Sequence, residues 1–195
     1  MNLPNKLTVF RIIIVPIIVF FLLYQNIKNH YVYALLLFMI ASYTDHLDGK
    51  IARKSGIITN FGKFADPLAD KILIISCLVC FLSLGLIDIV SVLIVISREF
   101  IVTSVRLIAA EHGTVISANN WGKIKTVSQI SSIISVIALQ AIGEVLIQLN
   151  FSNVDIYLNI SNTIGVFLIW VSVVLTVVSG IIYIYNNRDL IRDFG

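Results

Sequence analysis

Residues 45–70 read DHLDGKIARKSGIITNFGKFADPLAD, and the interpretation of the whole chain begins with this stretch. It contains four aspartates between two long apolar runs: Asp45, Asp48, Asp66 and Asp70. An ionised carboxylate in the hydrocarbon of a bilayer costs roughly 2.5–3.5 kcal/mol on insertion scales. We therefore expect these carboxylates to have a partner of opposite charge.

The spacing of the four aspartates indicates what that partner is. On helices, the first two aspartates are i,i+3 neighbours and the last two are i,i+4 neighbours, so each pair shares one face. Two such helices facing each other would bring four carboxylates to one point. Hard divalent cations prefer oxygen ligands, and two Mg²⁺ or Mn²⁺ ions would neutralise four negative charges. The spacing therefore predicts a two-metal site.

The composition is that of a polytopic membrane protein. Of the 195 residues, 58% are hydrophobic and only 13% are charged, whereas soluble domains have about 45–50% apolar residues. We expect an all-α bundle of six transmembrane helices in a single domain, residues 1–195, preceded by a short amphipathic helix within residues 1–10. The predicted spans are residues 12–24, 31–53, 61–84, 86–110, 121–149 and 163–185.

The basic residues predict the orientation of these spans. Six spans place both termini on one side of the membrane, and of the 14 Lys and Arg residues only Lys28 would then lie on the other side. Because cytoplasmic loops carry the excess of Lys and Arg, the basic side is predicted to be cytoplasmic. The aspartate motif would lie at that side, and Glu144 would mark the opposite membrane face.

The motif resembles that of a known enzyme family. The pattern Asp45-x2-Asp48-Gly49-x2-Ala52-Arg53-x8-Gly62-x3-Asp66-x3-Asp70 is similar at every fixed position to the motif of the CDP-alcohol phosphatidyltransferases. Eight fixed residues at fixed spacing make a chance match very improbable in a chain with few aspartates.

Three further segments resemble the bacterial phosphatidylglycerophosphate synthase branch of that family. They read Pro4-Asn5-x-Leu7-Thr8-x2-Arg11, Ser97-Arg98-Glu99 with Arg106, and Gly122-Lys123-x-Lys125-Thr126-x2-Gln129. This part of the resemblance covers residues 1–130 and is weak over the last two predicted spans.

The resemblance implies a reaction and a set of donor-side residues. An alcohol would displace CMP at the β-phosphorus of CDP-diacylglycerol, with Mg²⁺ or Mn²⁺, two ions in all, held by the four aspartates. The last aspartate, Asp70, would also be the catalytic base for the acceptor hydroxyl. The residues implied to bind CDP-diacylglycerol are Asp45, Gly49, Ala52 and Arg53. Alternatively, the two small residues serve close helix packing and the arginine is a membrane anchor.

Cationic residues on the predicted fourth and fifth spans favour an anionic acceptor, sn-glycerol 3-phosphate. The residues predicted to bind it are Thr8, Arg11, Arg98, Arg106, Lys123 and Lys125. The alternative is a belt of basic residues that contacts anionic lipid headgroups. Lys123 and Lys125 are two positions apart, so both cannot point inward on a regular helix.

The predicted enzyme is a multi-pass protein of the bacterial cytoplasmic membrane, with its active site facing the cytoplasm. Membrane lipids are expected partners, the resemblance implies a homodimer, and no nucleic-acid partner is expected. One alternative keeps the chemistry but takes phosphatidylglycerol as acceptor, as in a CDP-dependent cardiolipin synthase. A metal or ion transporter would also carry intramembrane aspartates, but we find no inverted repeat or broken helix of the kind that transporters show.

Overall fold

The computed structural model of the chain describes residues 3–55, 60–111 and 120–188, and side chains within residues 5–45, 67–110 and 120–188. These parts of the chain form six α-helices and contain no strand. The helices are α1 (Leu3–Leu23), α2 (His30–Ser55), α3 (Asn60–Ser83), α4 (Ile89–Glu111), α5 (Asn120–Gln148) and α6 (Val154–Asn186). The predicted all-α class is confirmed.

The helices form a bundle suited to a membrane. Within the described residues, three segments are long and apolar enough to cross one: Asn5–Leu23 of α1, and the whole of α5 and α6. Large apolar side chains also point away from the bundle, and Leu107 and Phe167 are 71% and 66% exposed. The other three helices are more highly charged, with the aspartate motif on α2 and α3 and Arg98 on α4.

The prediction of a separate amphipathic helix at the N-terminus is wrong for the described residues. Residues Leu3–Leu23 form one continuous helix, and Pro16 lies inside it. Asn5, Thr8 and Arg11 follow each other at intervals of three, share one face of α1 and are buried. This polar face packs into the bundle beside the aspartate motif, so the segment continues the first span and does not lie apart in the interface.

Helices α5 and α6 form an antiparallel pair. The Ser132 hydroxyl donates to the Leu168 carbonyl at 3.0 Å, and the Tyr157 hydroxyl donates to the Leu139 carbonyl at 3.0 Å. The pair packs on the rest of the bundle through α2 and α4, while α1 packs on both α2 and α3. The apolar core between them includes Ile18, Phe38, Phe81, Ile137 and Val173.

Helices α4 and α6 run in the same direction. The Trp170 indole N–H of α6 donates to the Asp88 carboxylate at the start of α4, at 3.0 Å. Farther along both helices, Arg98 donates to Ser179 at 2.8 Å. The two contacts occur in the same order along both helices, so the helices are parallel. Successive spans of a membrane bundle alternate in direction, so the fourth and the sixth span are expected to be parallel as well.

Glu144 of α5 contacts the N-terminus of α2, which is the end of α2 farthest from the aspartate motif. The backbone N–H groups of Asn29 and Tyr31 donate to its two carboxylate oxygens, the second at 3.3 Å. Gln148 donates to the Asn29 side chain at 3.0 Å. The first N–H groups of a helix have no hydrogen-bond partner within the helix. A carboxylate at this position accepts their hydrogen bonds and interacts favourably with the positive end of the helix dipole.

Candidate active site

Arg11 joins the first and the last aspartate of the motif. Its Nη1 atom lies 2.9 Å from Asp45 Oδ1 on α2 and also donates to Asp70 Oδ1 on α3. The arginine side chain is fully buried, whereas the two aspartate side chains are 35% and 47% exposed. Helices α1, α2 and α3 therefore meet at one point, and two of the four predicted metal ligands converge there from different helices.

The remaining motif residues lie on the same two helices. Asp48, Gly49, Ala52 and Arg53 belong to α2 and Asp66 belongs to α3. Their side chains lie outside the described residues, so their predicted contacts stay predictions.

The carboxylates of Asp45 and Asp70 fit a hard divalent cation in their chemistry. They supply oxygen ligands, they are partly exposed, and the single guanidinium of Arg11 neutralises only part of their two negative charges. Oxygen ligands of this kind suit Mg²⁺ and Mn²⁺. Among the side chains that the structure describes, no three of His, Cys, Asp and Glu lie close enough together to hold a metal ion.

A second charged cluster centres on Glu99 of α4. Its Oε1 atom accepts a hydrogen bond from Lys125 of α5, and Arg98 Nη1 lies 3.1 Å away. All three side chains are nearly buried, with 12%, 8% and 13% of their surfaces exposed. Two of the predicted acceptor-binding cations are therefore held together by one carboxylate.

Lys125 and Lys123 point in different directions, as their spacing predicts. Lys125 is buried against Glu99, whereas Lys123 is exposed on the outer face of α5. The structure thus brings Lys125 into the cluster and leaves Lys123 outside it. The phase of α5 decides this, because a step of two residues on a helix turns the side chain by more than half of the circumference.

Lys71 connects the two charged groups, and sequence reasoning missed it. It follows Asp70 directly, donates a hydrogen bond to the Thr103 hydroxyl of α4, and lies within electrostatic range of Glu99 and Arg106. Its position next to the last motif aspartate was the available signal. The sequence could not show that its ammonium reaches α4.

The last helix also contacts the predicted acceptor-binding cations. Ser179 accepts a hydrogen bond from Arg98, and the guanidinium carbon of Arg106 lies 5.4 Å from the centre of the Tyr183 ring. Thr8 is buried one turn before Arg11 on α1. A polar stripe on the otherwise apolar α6 was the sequence signal for these contacts, and the resemblance did not reach that far.

The chain is similar in sequence to the members of one known family. A family model described as CDP-alcohol phosphatidyltransferase matches residues 1–178. A Bacillus subtilis protein is 37% identical over 98% of this chain and 97% of its own length. Relatives from Rickettsia felis and Haemophilus influenzae are 34% and 33% identical, over 93% and 98% of this chain and 93% and 96% of their own lengths.

All three relatives are named CDP-diacylglycerol–glycerol-3-phosphate 3-phosphatidyltransferase. Members of the matched family generally use divalent metal ions. The family model covers both the aspartate motif and the Glu99 cluster, and it extends into the last helix. The chain belongs to the CDP-alcohol phosphatidyltransferase family.

Proposed function

We propose that this protein transfers the phosphatidyl group from CDP-diacylglycerol to sn-glycerol 3-phosphate and releases CMP. The observation that carries this proposal is the convergence of Asp45 and Asp70 on Arg11, with a cationic cluster linked to them through Lys71. The first group suits a metal-assisted phosphoryl transfer and the second suits an anionic acceptor. The names of the relatives support the same reaction.

The donor side of the proposed site is the aspartate motif. We assign four residues as the ligands of two Mg²⁺ or Mn²⁺ ions: Asp45, Asp48, Asp66 and Asp70. We assign the binding of CDP-diacylglycerol to Asp45, Gly49, Ala52 and Arg53. When bound, the metal ions would offset the charge of the pyrophosphate oxygens and of the departing CMP. A planar guanidinium at the end of this stretch suits the phosphates because it can bind two oxygens at once.

Asp70 is the proposed catalytic base. The acceptor hydroxyl oxygen forms a bond to the β-phosphorus, its proton passes to the Asp70 carboxylate, and the bond from phosphorus to the CMP oxygen breaks. The 47% exposure of the Asp70 side chain leaves it accessible to a substrate from the aqueous phase.

The acceptor side is the Glu99 cluster with its neighbours. Arg98 and Lys125 both contact the single carboxylate of Glu99, and Lys71 bonds Thr103 one turn farther along α4, which leaves an excess of positive charge for a phosphate group. Serine and other uncharged or zwitterionic alcohols would not need that excess. Thr8, Arg11 and Arg106 complete the proposed subsite, whereas the exposed position of Lys123 gives it no support as a direct contact.

The proposed setting is the bacterial cytoplasmic membrane, with both termini and the site on the cytoplasmic side. The parallel course of α4 and α6 supports six alternating crossings, and the distribution of the Lys and Arg residues supports the orientation. We further propose a single domain, residues 1–195, contact with membrane lipids, and a homodimer. A mass measurement in detergent that finds only monomer would exclude the dimer.

The test is CMP release by the purified protein from CDP-diacylglycerol, with each acceptor offered separately and with or without EDTA. Metal-dependent release with glycerol 3-phosphate alone is the expected result. Release with phosphatidylglycerol instead would make the protein a cardiolipin synthase and would overturn the role of the Glu99 cluster. Failure with every acceptor would favour the metal or ion transporter.

A further inference from the structure

We propose that one face of the last helix positions the guanidinium groups of the acceptor subsite. This acceptor wall consists of Thr176, Ser179, Gly180 and Tyr183, which follow the i, i+3, i+4, i+7 spacing of a single helical stripe. All four residues are buried, whereas Ile181 on the opposite face of α6 is 62% exposed. The inference rests on the proposed function and adds α6 to the residues that determine acceptor affinity.

Ser179 fixes one end of the Arg98 guanidinium. Arg98 Nη2 donates to the Ser179 hydroxyl at 2.8 Å, while its Nη1 atom lies 3.1 Å from Glu99 Oε1. A guanidinium is planar, so two partners on different helices set both its position and the direction of its plane. The N–H groups that remain can then be aimed at a phosphate without further reorganisation.

Gly180 provides the space that Arg98 occupies. A β-carbon at this position would lie 3.0 Å from Arg98 Cγ and 3.5 Å from its Nε. The arginine stem therefore packs directly on the α6 backbone, and a methyl group there would require the stem to shift by a few tenths of an ångström. Gly165 on the same helix differs, because a β-carbon there would reach Val136 Cγ2 at an ordinary 3.4 Å.

Tyr183 places a hydroxyl beside the second arginine. Its ring lies under the Arg106 guanidinium at 5.4 Å, and only 4% of the residue is exposed. Its hydroxyl has no hydrogen-bond partner among the described residues, which is uncommon for a buried polar atom. A phosphate oxygen held by Arg106 would accept a hydrogen bond from this hydroxyl, so the wall also contributes a direct contact to the acceptor.

The first test compares Gly180→Ala with Gly165→Ala, the same change on the same helix. We expect Gly180→Ala to raise the KM for glycerol 3-phosphate roughly tenfold, the order expected for a disturbed hydrogen bond to a charged group. The KM for CDP-diacylglycerol should not change, and Gly165→Ala should resemble the wild type in both. An equal rise for the two substrates, or none for the acceptor, would overturn the proposal.

A second pair keeps the proposal testable if Gly180→Ala does not fold. Ser179→Ala should raise the KM for glycerol 3-phosphate severalfold, and Ser179→Thr, which keeps the hydroxyl, should restore most of it. Ser161→Ala is the matched control, since among the described residues that buried hydroxyl bonds only to the Leu158 carbonyl of its own helix. In an Arg98→Ala background, Ser179→Ala should have no further effect. A full additive effect would show that Ser179 does not act through Arg98.

Direct binding separates the contact role of Tyr183 from catalysis. Calorimetry should give a Kd for glycerol 3-phosphate several times higher for Tyr183→Phe than for Tyr185→Phe, whose tyrosine is 64% exposed. Equal constants would remove the contact role. If the wild type released CMP only with a different acceptor, the proposed function would fail, whereas a selective rise in the KM for that other acceptor in Gly180→Ala would still support the wall.

Discussion

Arg11 is buried between two carboxylates that come from different helices. Its guanidinium reaches Asp45 on α2 and Asp70 on α3, so one positive charge on α1 offsets part of the negative charge of the motif. Both carboxylates keep a third or more of their surface open to solvent. The arrangement holds the motif helices together and leaves its acidic oxygens accessible to a metal ion and a substrate.

The role of Asp70 is tested by Asp70→Asn. We expect CMP release to fall by at least roughly 10²-fold, because the amide cannot accept the acceptor proton and is a poorer metal ligand. The thermal unfolding transition in detergent should be retained. Asp88→Asn is the control, since Asp88 bonds Ser91 and Trp170 at the start of α4. Near-normal turnover in Asp70→Asn would exclude Asp70 as the base.

Glu99→Gln tests the carboxylate that holds the cationic cluster. Loss of this charge leaves Arg98 and Lys125 nearly buried without their anion, so the free energy of unfolding should fall by about 3–5 kcal/mol. Glycerol 3-phosphate should stabilise the variant more than it stabilises the wild type, because the ligand restores a negative charge. Thermal unfolding with and without the ligand measures both effects.

The control for that measurement is Asp155→Asn, a carboxylate exposed at the start of α6. It should unfold like the wild type with and without the ligand. If Glu99→Gln behaved in the same way as this control, the carboxylate would not be what holds the two cations in place.

At the scale of the elements, α2 is anchored at two widely separated points. Glu144 of α5 satisfies backbone N–H groups at its N-terminus, and Arg11 of α1 contacts Asp45. Asp45 lies 15 positions after His30, which corresponds to about 22 Å of helix. The contact with Glu144 therefore holds the N-terminus of α2, and the contact with Arg11 holds its motif end.

Glu144→Ala tests the anchor at the far end of α2. The change leaves the N–H groups of Asn29 and Tyr31 without their acceptor, so we expect the protein to lose about 1–2 kcal/mol of stability. The KM values for both substrates should stay the same, because the aspartate motif lies toward the opposite end of α2. Thermal unfolding and CMP release measure the two properties. Unchanged stability would show that the cap is not needed.

Helix boundaries and helix faces differ in how far the sequence predicts them. The apolar runs and the polar breaks predicted all six helices of the described residues. The first ten residues were assigned to a separate amphipathic helix because the sequence does not show what their polar side chains pack against, although Thr8 and Arg11 were already predicted to lie in the acceptor site. Arg11 can be buried because Asp45 of α2 and Asp70 of α3 place carboxylates beside it.

At the scale of the whole molecule, the proposed orientation can be tested by labelling. Cys77 and Cys80 are buried and free, so cysteines introduced at exposed sites can be distinguished from them. In intact cells, a membrane-impermeant maleimide should label Asn150→Cys, between α5 and α6, and should not label Arg188→Cys after α6. Permeabilised cells should show labelling of both. The reverse pattern in intact cells would contradict a cytoplasmic active site.

The sequence by itself determined the class of the protein and the chemistry of its motif. An excess of apolar residues identifies a membrane bundle, and a fixed spacing of acidic and small residues identifies the family. Both properties are local, since they depend on which residues follow each other and not on what they meet in space. In the same way, the spacing of two residues between Lys123 and Lys125 predicted that only one of these two side chains could point into the bundle.

Tertiary structure alone decided which helix faces meet. It selected Lys125 for the Glu99 cluster and placed Ser179 and Gly180 of α6 against Arg98 of α4. These pairs are separated by tens of residues along the chain, and the rotation of each helix about its axis follows from the packing of the whole bundle. That rotation is a collective property, so no single segment of the sequence contains it.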